Sequence, residues 1–217
     1  IVTIAPELDG SIEFIKKCCQ HADFENSKCA VALGHTDCNY NQAVLAIENG
    51  ANCLTHTFNA MPPLHHREPG PIGAGVEKNI YAQVICDGVH IHKASIIALY
   101  KMFGSDKLIL ISDCMSATGL KDGEYEFGGQ MITVKDSIAR TKENALAGST
   151  STLLTCVKKA IEFGIDFADA VKMATETPAK LIGVNKGKIE VGYDADFLVV
   201  DENINILETY MMGEKKQ

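Results

Sequence analysis

Short apolar runs alternate with amphipathic stretches along the first half of the chain. Each run has three to six residues, and the stretch after it carries apolar residues three or four positions apart. The first pattern predicts a buried strand and the second a helix that covers it, so their repetition indicates βα units and a parallel sheet. The predicted strands cover residues 2–4, 30–33, 53–55, 81–86 and 108–111.

The connections between these strands are predicted to be three helices and one long loop. The helices cover residues 10–20, 39–49 and 93–103. Residues 60–75 are rich in Pro and Gly and are predicted to be a loop. A loop of that length after a strand usually serves a binding or catalytic site.

The pattern changes after Ala117. Strands at residues 125–127, 130–134 and 137–141 are predicted as a hairpin-like insertion near residues 122–145. Helical spacing returns at residues 151–163 and 167–176, and Thr177-Pro178 is expected to separate the second helix from the next turn. Residues 188–201 alternate and are rich in β-forming residues.

Five βα units fit either an open doubly wound sheet or a segment of a (β/α)8 barrel. Polar residues stand at the carboxyl end of every predicted strand, where the active sites of such barrels lie. This placement favours the barrel. The residues therefore predict an α/β fold, a segment of a (β/α)8 TIM-type barrel.

Composition and charge exclude several classes of protein. The 217 residues are 46% hydrophobic and 22% charged, as in globular proteins. The net charge of −8 argues against nucleic acid or an anionic membrane as a partner. The eight cysteines are scattered without a C-x-x-C pair, and we expect them to be reduced core residues. No signal-peptide pattern is present, so the default location is the cytoplasm.

Two histidines stand at the ends of neighbouring predicted strands. His35 follows an apolar run in Gly34-His35-Thr36, and His56 follows the next run. Imidazoles at the carboxyl ends of adjacent parallel strands face one cleft, where they can bind a divalent cation that activates water. The alternative is a pair of histidines that only form hydrogen bonds. His90 and His92 are candidates for a separate metal-binding pair, because alternate residues of a strand lie on the same face.

Polar residues near the other strand ends extend this candidate site. Asp113 ends the fifth run and is either a helix cap or a general base. Asn59, Ala60, Arg67 and His90 form a polar set suited to a phosphate monoester, because a guanidinium offers a planar fork of donors.

Seven blocks occur in an order and spacing that resembles the N-acetylglucosamine-6-phosphate deacetylase family of the amidohydrolase superfamily. The resemblance runs from residue 2 to the C-terminus. The blocks are Gly34-His35-Thr36, Thr55-His56, Phe58-Asn59-Ala60-Met61, Arg67-Glu68-Pro69-Gly70, Cys86-Asp87-Gly88-Val89-His90, Ile111-Ser112-Asp113 and Leu146-Ala147-Gly148-Ser149.

This resemblance implies a function and a role for each block. The implied reaction is metal-dependent hydrolysis of N-acetylglucosamine 6-phosphate to glucosamine 6-phosphate and acetate, in a homodimer that shares parts of the phosphate site. The metal is zinc, iron or nickel. His35 and His56 are implied metal ligands, and Asp113 the general base. The implied substrate contacts are Asn59, Ala60, Arg67, Asp87, Gly88, Val89, His90, Leu146, Ala147 and Gly148.

The resemblance also implies a division of the chain. The implied fold class is α/β, a partial (β/α)8 TIM-type barrel containing the later strands only, followed by part of a small β-sandwich. Residues 1–186 are expected to form the partial barrel with its insertion, and residues 187–217 the C-terminal part of the β-sandwich. The chain begins inside a strand without methionine, so we expect earlier strands and a glutamate ligand upstream. Glu7 belongs to a later block and is not assigned to the metal. We expect the isolated piece to bind metal weakly.

Two rival hypotheses remain open at this stage. One is an inactive fragment that only binds the sugar phosphate. The other is an amidohydrolase that acts on a different amide, such as a cyclic ureide, against which Arg67 and Asn59-Ala60 argue.

Overall fold

A computed structural model of this chain describes residues 1–20 and 29–216, and its first half is an alternating series of strands and helices. Every predicted strand of the parallel sheet is present, with bounds that differ from the prediction by at most one residue. The five strands are β1 (Val2–Ile4), β2 (Val31–Leu33), β3 (Cys53–Leu54), β4 (Tyr81–Ile85) and β5 (Leu108–Ile111).

The five strands run parallel and lie in the order β1-β2-β3-β4-β5. A doubly wound sheet reverses its strand order at a switch point. Here each strand pairs with its successor, which is the order of a (β/α)8 barrel. The connecting helices are α1 (Ser11–Gln20), α2 (Tyr40–Glu48), α3 (Gly70–Glu77) and α4 (Lys93–Phe103).

The parallel sheet is buried on both of its faces. Val31 packs in one apolar cluster with Leu99 of α4. Ala32, on the opposite face, belongs to a second cluster with Ile109 and Leu181. Double burial explains why β2, β3 and β5 are uninterrupted apolar runs, whereas β1 and β4 each contain one polar residue, Thr3 and Gln83.

The loop predicted over residues 60–75 is shorter than expected, because helix α3 occupies its second part. Gly70 begins α3 with a φ of 58°, and Pro71 follows in the first turn, where a missing N–H breaks no helical hydrogen bond. A Cβ at Gly75 would lie 2.9 Å from Cδ1 of Leu54, so this glycine lets α3 approach β3 closely. The loop prediction was wrong because these Pro and Gly residues serve helix packing.

After β5 the chain forms a separate antiparallel sheet at the predicted insertion. Ile132, Val134 and Ala139 of this sheet pack against Met115 and Ala117, which follow β5. This small cluster fixes the sheet to the segment that leaves the barrel strand. Its strands are β6 (Gly123–Phe127), β7 (Gln130–Lys135) and β8 (Ile138–Arg140).

Three helices and a second antiparallel sheet complete the described chain. Pro178 lies in the first turn of the last helix, not between helices as predicted, because N–H groups there have no helical partner. Residues 188–196, predicted as β-rich, form turns that precede the first strand of this second sheet. These elements are α5 (Leu153–Glu162), α6 (Phe167–Ala174), α7 (Glu176–Ile182), β9 (Phe197–Val200), β10 (Ile206–Met211) and β11 (Glu214–Lys215).

The boundary expected between residues 186 and 187 stays a prediction, although β9, β10 and β11 all lie beyond it. The eight cysteines are free thiols, and Cys38, Cys53, Cys86 and Cys156 are buried. Within residues 1–20 and 29–216, none of the helices combines the length and the apolar character that a bilayer crossing requires.

Candidate active site

His35 and His56 lie just beyond the carboxyl ends of the neighbouring strands β2 and β3. Parallel pairing sets Leu33 beside Leu54, so both histidines emerge from the same edge of the sheet. Their Nε2 atoms are 2.8 Å apart, and their rings meet edge to face with centroids 4.6 Å apart. The two nitrogens therefore face each other at hydrogen-bonding distance, at the edge of the sheet where both strands end.

Three of the predicted chemical groups share an unusual backbone conformation. His35, His56 and Asp113 have φ angles of 49°, 29° and 49°. Left-handed φ values in residues other than glycine cost about 1–3 kcal/mol each and cluster at functional sites, where the surrounding structure enforces them. Their concentration at three strand ends of one sheet marks this edge as the candidate site.

The backbone contact of His56 uses its Nδ1 and turns its Nε2 toward Nε2 of His35, 2.8 Å away. Its Nδ1 lies 3.2 Å from the carbonyl oxygen of Asn59, which can only accept, so Nδ1 carries the proton. Burial lowers the pKa of His56, and nearby His35 lowers it further against the opposing charge of Asp113. The imidazole is thereby kept neutral, the form in which histidine binds a metal.

The pair fits a divalent cation as part of a ligand set. Two imidazole nitrogens that lie this close together are suitable ligands for zinc, iron or nickel. Within residues 1–20 and 29–216, no group of three or more His, Cys, Asp or Glu side chains converges on a metal position. The described residues thus supply two of the roughly three protein ligands of a typical catalytic zinc site.

A carboxylate after β1 holds the loop that carries His35. Glu7 accepts hydrogen bonds from the hydroxyl of Thr36 and from the N–H of Asp37, at 2.5 and 2.7 Å. The N–H of Thr36 donates to the carbonyl oxygen of Ala60 at 3.0 Å, which joins this loop to the one after β3. Sequence reasoning missed this role, because one glutamate in a loop carries no local signal of its distant partners.

Asp113 lies at the same edge of the sheet, two residues beyond the end of β5. Its carbonyl oxygen accepts a hydrogen bond from the N–H of Ser149 at 2.9 Å. The residue is exposed, and its negative charge is among the causes that favour the protonated forms of His56 and His90. An exposed carboxylate near the histidine pair is able to accept a proton.

Asp87 and His90 form a buried ion pair in the turn after β4. Nδ1 of His90 donates to Oδ2 of Asp87 at 2.7 Å, and the N–H groups of Val89 and His90 donate to Oδ1 at 2.8 and 3.0 Å. Burial alone would raise the pKa of Asp87, but the hydrogen bonds from His90 and Val89 lower it to about 2. The hydrogen bond to Asp87 likewise raises the pKa of His90 against its burial.

The segment of residues 146–149 runs past both Asp113 and His90. Nε2 of His90 donates to the carbonyl oxygen of Ala147 at 3.0 Å. A Cβ at Gly148 would lie 3.2 Å from the carbonyl oxygen of Asp113, so glycine permits this close approach. The structure therefore brings Leu146, Ala147 and Gly148 together with the turn of residues 87–90 and with Asp113.

The remaining predicted contacts belong to the loop after β3. The Asn59 side chain donates to the carbonyl oxygen of His56 at 3.1 Å and closes the turn beside the histidine pair. Arg67 is exposed, and its backbone N–H donates to Nδ1 of His65 at 3.4 Å. Within the described ranges, no hydrogen bond joins Arg67 to the other predicted site residues. His92 is the N-cap of α4, where its Nδ1 accepts a hydrogen bond from the N–H of Ala94.

The Asp87–His90 pair predicts a shifted titration that NMR can measure. In the full-length gene product we expect the pKa of the His90 imidazole to lie above its ordinary value, because of the hydrogen bond to Asp87. In Asp87→Asn its pKa should fall, because the charge that stabilises the imidazolium is gone and burial remains. Histidine-selective labelling would follow the Cε1–H signal, assigned with His90→Gln. Asp9→Asn, at an exposed position, is the control and should leave the titration unchanged. Equal pKa values in the wild type and Asp87→Asn would contradict the pairing.

Comparison with known proteins places this geometry in a family. The sequence profile of the amidohydrolase family matches residues 2–216. N-acetylglucosamine-6-phosphate deacetylase of Bacillus subtilis is 37% identical over 217 residues, which cover 98% of this chain and 53% of the relative. N-acetylgalactosamine-6-phosphate deacetylase of Escherichia coli is 33% identical, with 99% of this chain and 56% of the relative covered.

A solved structure gives the same result for the fold. A mutant N-acetyl-D-glucosamine-6-phosphate deacetylase of Mycobacterium smegmatis, in complex with N-acetyl-D-glucosamine 6-phosphate, matches with a TM-score of 0.92 and 34% identity. The match covers 99% of this chain and 56% of that one. The chain thus spans about half the length of these relatives, and the predicted fold class, a segment of an amidohydrolase barrel with a separate antiparallel sheet, is confirmed. The chain belongs to the amidohydrolase family.

Proposed function

We propose that the full-length protein carrying this chain is a metal-dependent N-acetylglucosamine-6-phosphate deacetylase. The observation that carries the proposal is the convergence of His35 Nε2 and His56 Nε2 to 2.8 Å at the sheet edge that also holds Asp113. Water adds to the acetyl carbonyl carbon, the carbon–nitrogen bond breaks, and the products are acetate and glucosamine 6-phosphate.

His35 and His56 would hold the divalent cation of this enzyme. When bound, such a cation polarises the amide carbonyl and lowers the pKa of the attacking water. Amidohydrolases are generally dependent on divalent metals, and imidazole ligands are compatible with zinc, iron or nickel. The turn closed by Asn59 supports this assignment, because it fixes the tautomer in which His56 Nε2 carries a lone pair.

Asp113 is the proposed general base. Its carboxylate takes a proton from the attacking water and returns one to the amide nitrogen, which then leaves as an amine. Its exposure at the open edge of the sheet gives both water and substrate access to this carboxylate. A helix-cap role, the alternative from sequence, is not needed, since β6 rather than a helix is the next element after β5.

The loops around this edge are proposed to bind the sugar phosphate. Arg67 offers the planar fork of donors that a phosphate monoester requires. Its exposure suits a phosphate held at the mouth of the site or against a second subunit, so we include a homodimer in the proposal. The other proposed contacts are Asn59, Ala60, Asp87, Gly88, Val89, His90, Leu146, Ala147 and Gly148.

A second substrate has support from one relative. The Escherichia coli protein that is 33% identical is named for the galacto epimer, N-acetylgalactosamine 6-phosphate. Assays should therefore compare the two epimers. We place the enzyme in the cytoplasm, since eight free cysteines suit a reducing compartment. The rival hypothesis is that the protein binds the sugar phosphate without hydrolysing it, and an assay for acetate release tests it.

Metal content tests the role of the two histidines. In the full-length gene product, His35→Gln and His56→Gln should each weaken metal binding at least about 100-fold in chelator competition, because each removes one of roughly three protein ligands. His65→Gln, in the exposed loop after β3, is the matched control and should bind metal like the wild type. Unchanged metal affinity in the first two variants would remove the histidine pair from the metal site.

Acetate release tests the role of Asp113. Asp113→Asn keeps the shape of the side chain but removes the proton acceptor, so turnover should fall by about two to four orders of magnitude. Binding of N-acetylglucosamine 6-phosphate, followed by calorimetry, should survive. Near-normal turnover in this variant would exclude Asp113 as the base.

Substrate preference tests the role of Arg67. In Arg67→Ala we expect kcat/KM for N-acetylglucosamine 6-phosphate to fall at least about tenfold, because charged hydrogen bonds to the phosphate are lost. Activity on unphosphorylated N-acetylglucosamine should change little. His66→Ala, one residue earlier in the exposed loop, serves as the control. An equal loss on both substrates would show that Arg67 is structural.

A further inference from the structure

Ser149 connects three parts of the candidate site and has no role assigned above. The residue is 2% exposed. Its N–H donates to the carbonyl oxygen of Asp113 at 2.9 Å, and its carbonyl oxygen accepts from the N–H of Met115 at 3.0 Å. These two hydrogen bonds lie on either side of Cys114, so Ser149 and Cys114 form an isolated parallel β-bridge just after β5.

The hydroxyl of Ser149 makes a second set of contacts. Its Oγ donates to Oδ2 of Asp87 at 2.9 Å and accepts from the N–H of Ser151 at 3.0 Å. Asp87 in turn binds His90, and His90 donates to the carbonyl oxygen of Ala147, two residues before Ser149. The result is a closed ring of hydrogen bonds that ties the turn after β4 to the segment beside Asp113.

The ring is rigid because its polar groups are buried and charged. The side chains of Asp87 and His90 are only 3% and 8% exposed. Hydrogen bonds to charged groups are stronger than neutral ones, and a buried charge that loses a partner is costly. Ser149 is the member of the ring that also contacts Asp113, because its N–H donates to the carbonyl oxygen of Asp113.

We propose that Ser149 is a positioning residue for Asp113 in the proposed deacetylation. The inference rests on the proposed function, since it assumes that Asp113 is the base. Asp113 has a φ of 49°, a conformation that persists only where neighbouring contacts enforce it. The Ser149 N–H is such a contact, and the hydroxyl bond to Asp87 fixes where that N–H lies. Without the hydroxyl, the Ser149 N–H is less firmly held, and the Asp113 backbone that sets the position of its carboxylate loses part of its support.

The test begins with Ser149→Ala in the full-length gene product. We expect kcat for acetate release to fall about 10-fold to 100-fold, since a misplacement of about 1 Å at a reacting group has an effect of that size. KM should stay within about threefold, and metal content should be unchanged. Ser151→Ala is the matched control, with the same change two residues away, and should behave like the wild type.

A double-mutant cycle separates positioning from a merely structural effect. If Ser149 acts through Asp113, adding Ser149→Ala to Asp113→Asn should lower kcat by less than about threefold more, because the group being positioned is already gone. If the fold-losses in kcat of Ser149→Ala and Asp113→Asn multiply in the double variant, the inference is overturned. A rise in KM without a fall in kcat in Ser149→Ala would overturn it as well. If Ser149→Ala does not fold, Ser149→Cys takes its place, because a thiol is a much weaker donor to Asp87 than the hydroxyl, and kcat within twofold of the wild type would then overturn the inference.

The cycle also separates this inference from the proposed function. Near-normal turnover in Asp113→Asn would overturn the assigned base, and the inference with it. A large loss in Asp113→Asn beside normal turnover in Ser149→Ala would overturn the inference alone.

Discussion

Parallel pairing of β1 to β5 is the constraint on which the site depends. Because the strands run in one direction, the residues that follow them meet at a single edge of the sheet. His35, His56 and Asp113 occupy that edge after β2, β3 and β5. Apolar burial on both faces of the sheet leaves this edge as the place where polar chemistry is possible.

Burial of the sheet positions the strand ends, but the loops set the direction of each functional side chain. Left-handed backbone angles at His35, His56 and Asp113 are unfavourable by themselves and require support. Glu7 and Thr36 support the first of these loops, and Ser149 supports the last. Each support reaches a distant part of the sequence, so the site is complete only when the strands that carry these loops lie side by side.

Electrostatics divides the site into a neutral part and a charged part. Burial keeps His56 neutral, which suits a metal ligand. The same burial strengthens the Asp87–His90 pair, whose members hold opposite charges because each stabilises the charged form of the other. Two histidines at one sheet edge thus have opposite protonation preferences, because burial dominates the pKa of His56 whereas the hydrogen bond to Asp87 outweighs burial at His90.

The sequence by itself determined the parallel strands, their helices and the two histidines, because apolar periodicity and the polar residues after it are local signals. Helix α3 escaped prediction, since its Pro and Gly residues favour a loop until packing against Leu54 is known. Residues 188–196 were equally ambiguous, because alternation predicts a strand but does not supply a neighbouring strand to pair with it. Only the tertiary structure decided that Nε2 of His35 and Nε2 of His56 face each other, and that Asp87 bonds Ser149. Those contacts join residues far apart in sequence, and no local pattern records them.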